Sequence, residues 1–422
     1  MTTWKKILAG VVLVVLVLAG ILVGYVLYKR HESRNIRGSS TQEFVTTATP
    51  TPPAPKPPGI VWPTYGYNNE RVKSVVGDRR LVPPYRLDWA FHARKLLEFP
   101  PAIAYGRIFI ANNAGTLFAI NARTGKPKWT YRSGRCTAAS PAVDAHVVFQ
   151  VFMNKPPCNA QPGTSGIDGQ VVALLAKNGH VRWRRTIGPS ETSPAVQNGR
   201  VYVGDWTGKV YALDERTGRT IWTFATGGQV KGGVAVDGNR LYVGSYDGHV
   251  YALNARTGHE FWRASAQGRL GGTGTFYATP AAAYGRVYIG STDTKVYSFG
   301  ATSGKLIWSH STGSYVYSSP AVWRLRVYVG SYDHGLYCFD AATGDVKWRF
   351  DAGAPISGSP TVVNGIVYFS TLKTRTFALD ARTGKLLWQF PDGQYTPVVA
   401  GSRTLFLVGY SRLFALKPKP RR

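Results

Sequence analysis

A short pattern recurs along the chain at a nearly constant interval: a small or polar residue, glycine, three variable residues and tryptophan. Its seven copies begin at Thr124, Asn178, Thr217, Thr257, Ser303, Thr343 and Thr383. An eighth tryptophan, Trp89, lies 40 residues before the tryptophan of the first copy, and most later intervals are 39 or 40 residues. A repeat of this period is typical of a propeller or a solenoid.

Each repeat resolves into four short strands, A to D. In the third unit these are residues 193–196, 200–204, 209–214 and 219–225, and strands B and C alternate β-branched and aromatic residues. Thr-Gly closes the C–D hairpin, where glycine adopts positive φ. We expect the repeat tryptophans to bury their rings against the neighbouring blade rather than bind a cofactor. These are Trp89, Trp129, Trp183, Trp222, Trp262, Trp308, Trp348 and Trp388.

The two ends of the repeat region are complementary. The region begins with one D-type strand at 87–91 and ends with strands A, B and C at 396–399, 404–408 and 412–416. Pairing the first strand with the last three completes an eighth blade and removes the open sheet edges. The sequence therefore predicts an all-β fold, an eight-bladed β-propeller of four-stranded antiparallel blades, preceded by one N-terminal transmembrane helix.

Residues 7–28 form an uncharged run of 22 residues, long enough to span a bilayer as a helix. The run is longer than the apolar core of most cleaved signal peptides, so we expect an uncleaved anchor. The predicted organisation is a short N-terminal segment (1–6), a transmembrane helix (7–28), a juxtamembrane and Thr/Pro-rich linker (29–86), the propeller (87–416) and a basic tail (417–422).

Two observations bear on the orientation in the membrane, and they point in opposite directions. Lys29, Arg30, Arg34 and Arg37 slightly favour a cytoplasmic domain. Long domains translocate largely regardless of flanking charge, however, and the Thr/Pro run at 46–58 is typical of a spacer that lifts a domain off a surface. We expect a single-pass cell-membrane protein with its propeller outside the cytoplasm, and a cytoplasmic orientation stays open.

The folded region is strongly basic. The chain has 51 Lys and Arg against 22 Asp and Glu, and residues 61–422 retain a formal charge of +24. Such a surface attracts anionic polymers or lipid headgroups in a salt-sensitive manner. The membrane anchor argues against nucleic acid as the partner.

The Tyr-Ala-Leu-Asp and Thr-Gly-x-x-x-Trp elements, as at 211–214 and 217–222, resemble the pyrroloquinoline-quinone (PQQ) repeat over residues 87–416. This resemblance implies an eight-bladed propeller and two functional classes: quinoprotein dehydrogenases and non-enzymatic envelope proteins similar to BamB, the outer-membrane assembly scaffold. The dehydrogenases carry two adjacent cysteines over PQQ, calcium ligands and a catalytic aspartate. This chain has no adjacent cysteines and is shorter, so the resemblance favours the BamB-like class.

The A–B and C–D turns of all blades must lie on one face of the ring, which we call the basic face. We predict that arginines at these turns bind an anionic lipid or a cell-wall polymer, although solvated turn decoration explains them equally well. They are Arg107, Arg123, Arg200, Arg216, Arg240, Arg256, Arg286, Arg326 and Arg382.

The B–C turns and D–A links form the opposite face, which we call the loop face. Aromatic and acidic residues at its turns make it the candidate surface for an envelope protein partner, since aromatic side chains give large contact area; ordinary turn chemistry is the alternative. The candidates are Asp205, Trp206, Tyr246, Asp247, Asp293, Tyr332 and Asp333. Cys136 and Cys158 both lie on this face, and we predict a disulfide between them. Cys338 is expected to be a buried free thiol.

No catalytic motif and no metal-site spacing stands out. The leading hypothesis is a membrane-anchored extracytoplasmic propeller that serves as a non-catalytic interaction or envelope scaffold and needs no cofactor. The alternative is a quinoprotein-like dehydrogenase, or a ligand-sensing propeller, that binds PQQ with calcium in its central funnel.

Overall fold

A computed structural model describes residues 2–46, 59–158, 167–269, 272–395 and 398–420. It begins with a helix, Thr2–Glu32, whose apolar part is long enough to cross a membrane and whose residues 7–25 are all exposed. The helix begins five residues before the predicted start and ends four residues after the predicted end, because the flanking residues include no helix breaker.

Eight antiparallel sheets follow, and each contains four strands of the predicted A–B–C–D order. The A strands are Ala102–Ala104, Ala142–Asp144, Ala195–Gln197, Ala235–Asp237, Ala281–Ala283, Ala321–Trp323, Thr361–Val363 and Val398–Ala400. The B strands are Arg107–Ala111, Val147–Phe152, Arg200–Gly204, Arg240–Gly244, Arg286–Gly290, Arg326–Gly330, Ile366–Thr371 and Leu405–Val408. The C strands are Thr116–Asn121, Gly169–Leu175, Lys209–Asp214, His249–Asn254, Lys295–Gly300, Gly335–Asp340, Arg375–Asp380 and Arg412–Pro418. The D strands are Pro127–Arg132, Val181–Ile187, Thr220–Ala225, Glu260–Ser265, Leu306–Ser311, Val346–Asp351, Leu386–Phe390 and, from the N-terminal side, Tyr85–His92.

The eighth blade is closed as predicted. Strand Tyr85–His92 pairs antiparallel with Arg412–Pro418, and Trp89 lies opposite Ala415. The pairing runs to Pro418, so the first residues of the segment predicted as a basic tail belong to a strand instead. The eight-bladed propeller is confirmed.

The tryptophans hold successive blades together through the glycine of the repeat. The ring of Trp222 lies against Gly258 of the next blade, where a Cβ atom would come within 2.8 Å of it. The Trp222 indole N–H donates to the carbonyl of Ala255 at 3.1 Å, and the Tyr202 hydroxyl donates to the same oxygen. The same indole-to-carbonyl bond recurs at Trp129, Trp183, Trp262, Trp308 and Trp348. The repeat glycine is therefore required both for its positive φ and for space.

Of the two tryptophans at the closure, only Trp388 packs differently from the others. The ring of Trp89 lies against Gly125 of the first blade in the same way. Trp388 instead contacts Tyr85 edge to face, with ring centroids 5.2 Å apart, because the eighth blade has no continuous C–D hairpin to receive it.

Part of the segment that was expected to be a linker is folded onto the propeller. Ile60–Trp62 adds a fifth strand to the first blade, and Ser74–Val75 adds one to the seventh. Residues 33–46 follow the outer edge of the fifth blade. The linker prediction fails over these residues because their backbone groups complete sheet edges, a use that polar composition does not reveal. Residues 47–58, most of the Thr/Pro run, lie outside the described residues.

Candidate functional site

An axial segment, residues 59–75, occupies the central channel of the propeller. Its carbonyls accept hydrogen bonds from the middle residue of successive A strands, whose N–H groups face the axis. The pairs are Val143 to Pro63, Val236 to Asn69, Ala282 to Glu70, Val322 to Val72 and Val362 to Lys73, at 2.7–2.9 Å. The segment thereby satisfies inner strand edges that would otherwise stay unpaired, and it blocks the channel.

Two buried cations fix this segment. Arg71 is fully buried, and its guanidinium donates to carbonyls of the third and fourth blades and to the axial segment itself. Lys73 is also buried and donates to the carbonyls of Arg71 and Pro320 at 3.2 Å. Burial lowers the pKa of Arg71 to about 10, and burial together with the charge of Arg71 lowers the pKa of Lys73. Backbone carbonyl groups, and not carboxylates, therefore stabilise the positive charges of Arg71 and Lys73.

Above the axial segment, on the loop face, a blind funnel of about 510 Å³ remains open. Tyr65 of the axial segment forms part of its lining, and six more tyrosines come from the D–A links and B–C turns. They are Tyr246, Tyr277, Tyr315, Tyr317, Tyr332 and Tyr395. Ring contacts connect several of them: the centroids of Tyr317 lie 5.2 Å from Tyr277 and 5.1 Å from Tyr332. Their hydroxyls and rings give the funnel an amphipathic aromatic surface.

Three charged side chains line the funnel within the described residues: Glu98, Glu191 and Lys231. The Lys231 ammonium lies 3.6 Å from Glu191 and 4.4 Å above the Trp206 ring. The Trp206 indole N–H donates to Glu191 at 3.1 Å. Burial, reinforced by the negative charge of Glu191, raises the pKa of Glu98 to about 7. The funnel thus combines aromatic contact area with a small set of polar groups, which is typical of a binding site.

A single repeat offset supplies much of the lining. In the first seven blades, the residue four positions before strand A is Glu98, Ala138, Glu191, Lys231, Tyr277, Tyr317 or Ser357. All of these except Ala138 line the funnel. Equal offsets lie at equal positions around a propeller, so this variable column in an otherwise regular repeat is the signal that could have located the site.

The predicted loop-face residues divide into two groups. Tyr246 and Tyr332 do line the funnel. Trp206 is only 6% exposed and forms part of the wall behind Glu191, so it is not an exposed contact residue.

The four predicted aspartates stabilise their own turns. The Asp205 carboxylate is fully buried and accepts bonds from the N–H of Gly188, Thr207 and Lys209 and from the Tyr211 hydroxyl. The carboxylates of Asp247, Asp293 and Asp333 likewise accept backbone N–H groups of their own turns and a tyrosine hydroxyl of strand C. Local hydrogen bonding uses their acceptor capacity, as expected for aspartate in turns.

In each of the first seven blades a backbone hydrogen bond joins the C–D turn to the A–B turn, as from Ala255 to Asn239, so the two kinds of turn lie on one face. Its arginines differ in exposure. Arg123, Arg216, Arg256 and Arg382 are exposed, whereas Arg107, Arg200, Arg240 and Arg326 are half-buried. Arg286 is fully buried and donates to the carbonyls of Ser39, Gln42 and Glu43, so it does not belong to an accessible basic surface.

Cys136 and Cys158 form a disulfide that packs with Met153 and Trp206 behind the funnel wall. Cys338 is a buried free thiol, and burial raises its pKa to about 12.

The repeat region matches a known family. The family model described as "Outer membrane protein assembly factor BamB" matches residues 85–206, 163–226, 206–322 and 292–419, which include all eight blades. The chain belongs to this family. BamB from Moraxella catarrhalis has the same fold, with a TM-score of 0.64 at 17% identity over 81% of this chain and 99% of that one.

Enzymes share the BamB-family fold to a similar degree. Quinohemoprotein alcohol dehydrogenase from Comamonas testosteroni superposes with a TM-score of 0.71 at 14% identity, over 85% of this chain and 81% of that chain. Tetrathionate hydrolase from Acidithiobacillus ferrooxidans is 31% identical over 35% of this chain and 32% of its own length. The chain spans about a third or less of the first curated relatives that it matches. The fold alone therefore does not separate a scaffold from an enzyme.

Proposed function

We propose that this chain is a membrane-anchored, non-catalytic member of the BamB family that works outside the cytoplasm and binds an envelope protein through the funnel on its loop face. The observation that carries the proposal is the blind funnel. Aromatic rings and three charged groups converge there from the loops of six or more blades and from the axial segment. Aromatic side chains in a concave site provide large contact area at low conformational cost.

The proposed location rests on two features. The N-terminal helix is apolar and exposed, as a membrane span requires. The Cys136–Cys158 disulfide favours an oxidising compartment, and therefore the extracytoplasmic side of the membrane.

The residues of the funnel do not fit PQQ with calcium. PQQ is a tricarboxylate, and the funnel presents two carboxylates and one ammonium that is already paired with Glu191. In the described ranges, no group of three or more His, Cys, Asp or Glu side chains is placed to hold a metal ion. The two half-cystines are 22 residues apart, unlike the adjacent pair of quinoprotein dehydrogenases.

A thermal-shift titration separates the proposal from the quinoprotein alternative. Adding PQQ with calcium chloride to the purified full chain is expected to leave the Tm unchanged. A Tm that rises and saturates with PQQ concentration would support the alternative and count against a non-catalytic role.

Partner capture after crosslinking in intact cells tests the funnel directly. Tyr315 is 46% exposed, and replacing it and Tyr317 with alanine removes two aromatic rings from the lining. Loss of a central aromatic contact costs about 2 kcal/mol or more, which is a roughly 30-fold loss of affinity. The double variant should therefore lose the crosslinked partner, whereas the matched pair Arg216→Ala and Arg256→Ala on the basic face should retain it. Equal capture by both pairs would refute the proposed site.

The exposed arginines of the basic face favour a second, weaker contact with an anionic lipid or cell-wall polymer. Arg123, Arg216, Arg256 and Arg382 are the accessible members. Such a contact should weaken strongly between low and high salt. An affinity for anionic polymer that does not change with salt would exclude this electrostatic contact.

A further inference from the structure

The chain between the helix and residue 46 is a strap that is fixed to the propeller along its whole length. At its first residues, the Lys295 ammonium donates to the carbonyl of Ser33 at 2.6 Å, and the Gln267 amide donates to the carbonyl of Glu32 at 2.9 Å. Lys295 is the first residue of strand C in the fifth blade, and Gln267 lies in the link between the fourth and fifth blades. Both positions are at the loop-face end of the blades, so the helix joins the propeller at the loop face.

The strap then runs along the outer edge of the fifth blade towards the basic face. Ile36 pairs with Ser309 of strand D through two backbone hydrogen bonds of 3.1 and 2.9 Å. At the far end, the Glu43 carboxylate accepts the N–H groups of Thr302 and Ser303 in the C–D turn. The Arg286 guanidinium, buried beneath the strap, holds the carbonyls of residues 39, 42 and 43. These contacts leave no free spacer between the helix and the propeller.

The short distance between the helix and the loop face determines how the propeller stands on a membrane. The uncharged run ends at Tyr28, and Glu32 is held by the propeller four residues later. Four helical residues rise about 6 Å. The basic face lies farther away by the length of a blade strand, which is about 17 Å for five residues.

We propose that the loop-face edge of the fourth and fifth blades rests on the surface of the membrane that the helix spans, and that the basic face is directed away from that membrane. This inference rests on the proposed membrane anchor. It assigns the lipid headgroup layer to the edge formed by hairpin Gly268–Arg269 and Gly272–Thr273, and it brings the funnel to the membrane surface. The exposed basic face is then free for an anionic polymer instead of the lipid of its own membrane.

Fluorescence quenching in vesicles tests this orientation. The full chain is reconstituted in phosphatidylcholine vesicles that contain about 20% phosphatidylglycerol, which gives the surface a negative potential, and a headgroup nitroxide lipid serves as quencher. A single fluorophore is attached at Thr273→Cys on the hairpin or at Thr257→Cys in the C–D turn of the fourth blade; both sites are exposed. Unmodified chain reports background labelling, which should be low because Cys338 is buried and the other two cysteines are bonded.

Quenching should be about threefold stronger or more at Thr273→Cys, because the two sites differ in height by roughly the length of a blade strand. Equal quenching, or stronger quenching at Thr257→Cys, would overturn the proposed orientation. Flotation of the same vesicles tests the anchor separately: a chain that fails to float refutes the anchor, whereas a chain that floats with reversed quenching refutes only the orientation.

A loosened strap provides a second test. Replacing Lys295 and Gln267 with alanine removes the bonds that hold Ser33 and Glu32 and leaves the helix unchanged. The variant should still float, but the difference in quenching between the two labelled sites should shrink. A difference that stays the same would show that the bonds from Lys295 and Gln267 do not set the orientation.

Discussion

The axial segment should be a main source of stability, and Arg71 is the residue that tests this most sharply. Its guanidinium donates to five acceptors in a site without solvent access. They are the carbonyls of Tyr65, Ser193, Pro194 and Val234 and the hydroxyl of Thr64. Replacement by methionine keeps much of the apolar volume but leaves these acceptors without their donor. An unsatisfied buried polar group costs about 1–3 kcal/mol, and part of that cost is offset because the buried guanidinium itself is no longer desolvated.

We therefore expect Arg71→Met to lower the free energy of unfolding by roughly 3–5 kcal/mol. With an unfolding entropy of about 2.1 cal/mol/K per residue over the propeller, this corresponds to a Tm lower by roughly 4–7 °C. Differential scanning calorimetry of the purified full chain measures this shift. Arg71→Lys, which keeps the charge but not the planar fork, should give an intermediate loss.

Arg216→Ala is the matched control, because Arg216 is exposed on the basic face. It should change the stability by less than about 0.5 kcal/mol. If the Tm of Arg71→Met matched that of this control, the axial segment would not be the buried, hydrogen-bonded element described above.

Three further predictions concern the blades and the funnel. Gly258→Ala places a Cβ 2.8 Å from the Trp222 ring at a φ of +78°, so it should lower the free energy of unfolding by about 2–4 kcal/mol. The control Gly238→Ala, with φ +56° and nothing within 4 Å, should lower it by only about 1 kcal/mol. Equal losses in chemical denaturation would show that the Trp222 ring does not need the space at Gly258. Because the pKa of Glu98 is raised to about 7 in the fold, from 4.5, its contribution to stability is fully present below pH 4.5 and is lost as the pH rises through 7. Glu98→Gln should therefore remove part of the fall in Tm between pH 4.5 and 7.5, and an unchanged pH profile would contradict this. Trp206→Phe removes the N–H donor to Glu191 and should raise the pKa of that buried carboxyl further. NMR titration of the labelled glutamate measures this shift, and an unchanged pKa would show that the bond does not stabilise the carboxylate.

The repeat was sufficient to predict the blades because their local chemistry is nearly identical in every unit. Strands B and C of the third unit, 200–204 and 209–214, begin and end where the alternation predicts. The closure by residues 85–92 also followed from counting strands. Strand A was less accurate, because residues 193 and 194 form part of the D–A link instead of the strand.

The axial segment and the strap could not be predicted in the same way. Arg71, Lys73 and Glu43 have the composition of a solvated linker. Their burial depends on backbone groups that converge from several blades, and that convergence exists only once the ring has closed. Charged residues that bond to carbonyls leave no hydrophobic pattern in the sequence.

The funnel was placed on the correct face but with only part of its lining. Turn composition drew attention to Asp205 and Asp333, whose carboxylates stabilise their own turns. The lining instead varies from blade to blade at one fixed offset, as at Glu191, Lys231 and Tyr277. The site is identified by comparing the residue at this offset across the blades, and not by the composition of each turn alone.

The proposed function requires that the funnel, and not the basic face, receives the protein partner. A photo-reactive amino acid introduced in living cells in place of Tyr315, in the funnel, or in place of Arg216, on the basic face, tests it most directly. We expect a discrete protein adduct from the Tyr315 position and none from the Arg216 position. A protein adduct from Arg216 with none from Tyr315 would contradict it.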